Sequence, residues 1–159
     1  MEPTKSFVFQ GDELAWLLSG RQLSGCPPVD ELARIPFDGT AVRDRLAAKG
    51  IIQRADGQEA LVGVVAFLMR SLAAARAWVR LAEPEALLLR AAQLYLVLTP
   101  YVLCPGAWRL TPCPTLDAAC AALEGAGGEA ALGRAGEAPE YDSVPEGTLR
   151  SWLEAQEWN

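Results

Sequence analysis

Arg76-Ala-Trp-Val-Arg-Leu-Ala82, followed by the turn Glu83-Pro84-Glu85 and by Leu87-Leu-Leu-Arg-Ala91, decides how this chain folds. Upstream of it apolar residues recur at helical spacing; from Arg76 they alternate with a period of 2, the signature of a strand. Ala77, Val79 and Leu81 fall on one side, and Arg76, Trp78 and Arg80 on the other. Residues 87–91 and 94–99 read as further strands, or as one strand broken at Ala92-Gln93. Residues 101–104, the pair Pro105-Gly106 and residues 107–111 read as a hairpin. Links this short oblige neighbouring strands to run antiparallel.

Helices flank this meander. Asp12 is placed to cap a helix ending near Ser19, with Leu14, Leu17 and Leu18 on one face and Gly20 as the stop. Ser24-Gly-Cys-Pro-Pro reads as a loop. Thr40 caps a helix over residues 41–49, closed by Gly50. Ile51-Ile-Gln-Arg54 is extended and ends at the turn Asp56-Gly57. Asp56 with Glu59 resembles a capping box, opening a helix whose Leu61, Val64, Val65, Leu68 and Leu72 form the central apolar stripe. Thr115 caps a closing helix over residues 116–124.

The 159 residues are 51% hydrophobic and 21% charged, a composition that supports a packed core. Residues 1–123 carry 12 acidic and 12 basic side chains, whereas residues 124–159 carry 8 acidic ones against Arg134 and Arg150, so the net charge of −6 arises wholly in the second part. Three parts are expected: an α+β domain over residues 1–124, an acidic Gly/Ala/Pro linker over 125–147, and a C-terminal helix over 148–159. Trp152 and Trp158 in that last part call for a docking surface, because large aromatic side chains are rarely left in water.

Residue content excludes much chemistry. With no histidine in the chain, Ser-His-Asp and Cys-His catalysis and imidazole metal ligation are absent. Cys26, Cys104, Cys113 and Cys120 show no C-x-x-C pair and suit no common zinc motif. They read as small buried apolar residues; a Cys104–Cys113 bridge is disfavoured in a reducing compartment. The carboxylate pairs Asp12/Glu13 and Glu83/Glu85 suit a helix start and an exposed turn. No phosphate-binding glycine loop follows a strand, and no nucleophile elbow occurs. The chain reads as a non-enzyme without a cofactor. The N-terminus shows no secretory leader and no apolar run is long enough to span a bilayer, so a cytoplasmic protein is expected.

Two surfaces stand out as binding candidates. The first is the helix over residues 41–49 with the extended segment after it, an arrangement with which winged-helix domains close; Arg43, Arg45, Lys49 and Arg54 there suit phosphate contacts. An acidic chain is a poor DNA reader, so this geometry points more to structure or protein contact than to nucleic acid. The second is the outer side of the alternating strand, Arg76, Trp78 and Arg80, joined by Tyr95 and Arg109 if the register allows. Arg and aromatic residues anchor protein interfaces, and that face would receive the protein's own tail or an acidic helical partner; the other reading is an ordinary solvated sheet face.

The order of these elements resembles the EspG family of ESX (type VII) secretion-associated proteins. The likeness covers roughly residues 7–124. It is carried by Glu13-Leu-Ala-Trp-Leu-Leu18, Leu46-Ala-Ala-Lys-Gly-Ile-Ile52, the strand Trp78-Val-Arg-Leu81, Trp108-Arg-Leu-Thr-Pro112 and the helix Leu116-Asp-Ala-Ala-Cys-Ala-Ala-Leu123. The resemblance implies an α+β fold, an antiparallel sheet flanked by helices, and no catalysis. It also implies a cytosolic chaperone or adaptor holding a helical secreted protein of the WXG, LXG or PE/PPE type. This chain has one helix–sheet unit where larger members have about two. The alternative is a winged-helix transcription regulator or small-ligand sensor.

Overall fold

The structure is a computed structural model describing residues 5–156 and 158; the leader reading of residues 1–4 lies outside the described residues. In chain order it runs β1 (Phe7–Gln10), α1 (Gly11–Leu18), α2 (Pro27–Ala33), α3 (Gly39–Ala48), β2 (Ile52–Ala55), β3 (Gln58–Leu61) and α4 (Gly63–Ala73). The sheet strands β4 (Ala77–Glu83), β5 (Glu85–Arg90), β6 (Tyr95–Pro100) and β7 (Ala107–Cys113) follow, then α5 (Leu116–Ala122), β8 (Gly127–Arg134), β9 (Glu140–Val144) and α6 (Leu149–Ala155). The fold is α+β. Seven strands form one antiparallel sheet in the order β1-β7-β6-β5-β4-β8-β9, and β2 pairs with β3 in a separate hairpin.

The alternation at Arg76 produces the strand it announces, but both faces of the sheet are covered. Trp78, Leu87, Leu89, Leu96, Leu98 and Leu110 pack against α1, α2, α3 and α4. Ala77, Val79, Leu81, Ala86, Leu88 and Val97 pack against α5 and α6. Apolar residues on both sides of β4, β5 and β6 are what a doubly covered strand requires. The expectation of one solvated face is therefore corrected: Trp78 lies in the core at 3% exposure.

Other segments depart from the sequence reading for local reasons. Pro27 and Pro28 do not hold a loop open; they start α2, because a proline in the first helical turn gives up only an amide hydrogen that the helix leaves unused. Asp56 and Gly57 both adopt positive φ, 53° and 78°, and join β2 to β3 as a two-residue hairpin turn, so Glu59 lies in β3 and α4 begins at Gly63. The loop between β6 and β7 includes residues 101–104, which were expected as a hairpin arm; the paired arm is Tyr95–Pro100.

The largest correction concerns residues 125–147. They are not a linker but contain β8 and β9, which extend the sheet beyond β4. Glycine is required there by close packing: a Cβ on Gly133 would sit 2.9 Å from Trp78 Nε1, and one on Gly127 2.8 Å from the Val144 carbonyl oxygen. The helix expected after Thr148 is present, with Leu149, Trp152 and Leu153 buried. It docks on the Val79 face, opposite the Trp78 side proposed for it, and Trp158 stacks on Tyr95 with ring centroids 6.0 Å apart.

Candidate functional site

The five residues singled out as a docking face do not share one surface. Strand register pairs Ala77 with Arg90, Arg90 with Tyr95 and Thr99 with Arg109, which sets Tyr95 and Arg109 on the Val79 side, away from Trp78 and Arg80. Tyr95 is half-buried under Trp158. Arg109 is exposed, its guanidinium 5.3 Å from the centre of the Tyr101 ring. Arg76 is exposed at the start of β4. Only Arg80 belongs to an accessible concavity, and its charge is taken up by an ion pair with Glu31 of α2.

That concavity is built by α2. Ser24 and Cys26 fasten the entry to α2 onto the Ala75 carbonyl, by hydroxyl and thiol donation, just before β4 begins. At its other end Ile35 lies beside Gly11, whose amide hydrogen bonds the Gly106 carbonyl at 2.9 Å. The helix thus crosses from the start of β4 towards β7. Its Pro28, Glu31 and Leu32, with Ile35 just past its C-cap, face a groove of about 330 Å³ whose sheet side is Arg80, Glu85, Leu87 and Trp108. A second hollow of about 450 Å³ shares Arg80 and Glu85 and continues across β4 to Glu129, Ala131 and the 78%-exposed Tyr141. At the β6–β7 end, Val102 and Leu103 are 90% and 79% exposed just past Pro100.

The basic residues of the winged-helix-like unit are engaged within the molecule. Arg45 bonds Asp12 and approaches Glu13, Lys49 bonds Glu13 at 2.7 and 3.0 Å, and Arg43 and Arg54 both reach Glu59. Glu13 is fully buried and also accepts the Gln10 amide hydrogen at 2.8 Å, tying the start of α1 to α3. This carboxylate has a structural assignment.

Little reactive chemistry appears elsewhere. All four cysteines are free thiols; burial first of all pushes the Cys26, Cys113 and Cys120 thiols up, which keeps them protonated and poorly nucleophilic. Among the described residues no group of three or more acidic, cysteine or histidine side chains is placed to hold a metal ion, and no helix is long and apolar enough to cross a membrane. Sequence reading does not single out the groove residues Glu31, Ile35 and Tyr141, and it assigns Glu85 to an exposed turn, whereas Glu85 opens β5 at the groove. The signal for the α2 wall was the apolar spacing Pro28–Leu32–Ile35, hidden by the loop reading of the prolines. No family model, curated protein or solved structure matches the chain.

Proposed function

We propose that this protein is a non-catalytic, cytosolic protein-binding module, a chaperone or adaptor associated with type VII secretion that holds a helical secreted protein of the WXG, LXG or PE/PPE type. The observation that supports this reading is the open groove between α2 and the sheet. It is walled by one helix face, floored by Leu87 and Trp108, and extended to an exposed tyrosine. Aromatic anchors beside apolar side chains, with charged residues at the edge, are what protein interfaces use, and a helix is the natural filler of a trough that already has a helix for one wall. The winged-helix alternative draws no support from α3 and its hairpin, because Arg43, Arg45, Lys49 and Arg54 each pair with a carboxylate of the same chain, Asp12, Glu13 or Glu59.

The reading is tested by co-expressing the protein with small helical secreted proteins encoded beside it. The expected outcome is a complex on size exclusion and a cargo that precipitates when the protein is omitted. Tyr141→Asp and Leu103→Asp, both at exposed positions, should weaken the complex without unfolding the protein. A cargo equally soluble alone, with no complex formed, overturns the reading. Duplex DNA bound with a steep salt slope would replace it by the regulator alternative.

A further inference from the structure

We infer that the end of the sheet beside α2 receives an amphipathic helix of about 16 residues whose polar flank carries lysine or arginine, an inference that rests on the groove being the docking surface. The length follows from the sheet. From Trp108 on β7 to Tyr141 on β9 the groove crosses β6, β5, β4 and β8. Five strand spacings of about 4.8 Å give roughly 24 Å, and at 1.5 Å per residue a helix of about 16 residues spans it. Such a helix would lie alongside α2 over the end of the face that the helical layer leaves open.

The charge of the partner follows from what is already neutralised. Arg80 is paired with Glu31, so the one cation lining the groove among the described residues is spoken for. Glu85 and Glu129 are exposed on the groove side of β5 and β8, flanking β4, and among the described residues neither forms an ion pair or hydrogen bond with a cation. A second copy of this chain would bring the same carboxylates into the contact, which disfavours self-association. The opposite end is apolar, because Val102 and Leu103 stand just beyond the Trp108–Pro100 pair. Their loop is braced by amide-to-carbonyl bonds from Tyr101 to Ala107 at 2.9 Å and from Cys104 to Tyr101 at 3.2 Å. The occupant therefore has an apolar stripe, an apolar end over β6–β7 and a basic flank over Glu85 and Glu129.

Two labelled synthetic helices of about 16 residues serve as probes, one built of leucine and lysine and one of leucine and glutamate in the same pattern. Anisotropy on the full chain should show the lysine helix binding about ten-fold or more tighter at low salt, with the advantage shrinking as NaCl rises from about 50 to 300 mM. Glu85→Lys/Glu129→Lys should abolish that preference. Glu137→Lys/Glu140→Lys, which changes net charge equally at the far end of the β8–β9 hairpin, should leave it intact; circular dichroism checks that both variants fold. A preference that survives the first pair of changes, or falls equally with the second, overturns the inference. Equal binding of both helices overturns the basic flank while leaving the docking reading standing. Binding of neither helix also overturns the inference, and the co-expression experiment then decides the docking reading separately.

Discussion

Gly133 and Glu13 show how single residues fix this fold. Trp78 lies across Gly133 on the neighbouring strand, so Gly133→Ala would drive a methyl to 2.9 Å from the indole nitrogen. With the ring held in the core, the expected loss is about 1–3 kcal/mol in urea denaturation. A destabilisation below about 0.5 kcal/mol would show that the ring slides aside. Glu13 is satisfied by Lys49 and the Gln10 amide, and Glu13→Gln should cost about 1–3 kcal/mol because a buried charged hydrogen-bond set is left incomplete. The cysteines give a third expectation. Cys26 and Cys113 are buried thiols held protonated, so alkylation followed by mass spectrometry should modify them only as the protein unfolds.

At the level of elements, α6 is held by a contact that acid should loosen. The Trp152 indole N–H donates to Asp142 at 2.8 Å, which together with the Ser143 amide holds that carboxyl below its ordinary value of 3.8. A depressed carboxyl contributes stability above its unfolded value and loses it as pH falls through the folded one, so tryptophan fluorescence should report loosening of α6 only below about pH 4. Asp142→Asn should remove that acid step. Deleting residues 148–159 removes Leu149, Trp152, Leu153 and Trp158 from the cluster that also holds Val79, Leu88 and Val97, and should raise hydrophobic-dye binding and lower the melting temperature; an unchanged dye signal would mean that α6 does not protect this face. Elements legible from sequence were those carried by a local pattern: α1, α3, β2, the body of α4, β4, β5, β6, β7, α5 and α6. Those missed were set by their neighbours. The small residues of Gly127–Arg134 look like linker composition until Trp78 and the Val144 carbonyl occupy the space that side chains would fill. Phe7–Gln10 is four residues long, too short for alternation to show. The groove was illegible for a related reason, since it is made by α2 and strand ends that meet only once the sheet order is known.

For the molecule as a whole, charge and topology act together. Four basic side chains near α3 are bonded to the protein's own carboxylates, so the intact chain should pass through a heparin or DNA column at physiological salt despite its winged-helix-like segment. Retention reversed by salt would show those pairs opening to phosphate. The sheet order carries a different consequence. Phe7 pairs with Leu110 and Gln10 with Ala107, so β1 has its neighbour about a hundred residues further along. At a synthesis rate of about 5–20 residues per second, the aromatic segment Phe7-Val-Phe is made roughly 5–20 s before that neighbour. Through that interval it is an unclaimed sticky end, and a translational stall before Ala107 would leave the nascent chain open to holdases and proteases.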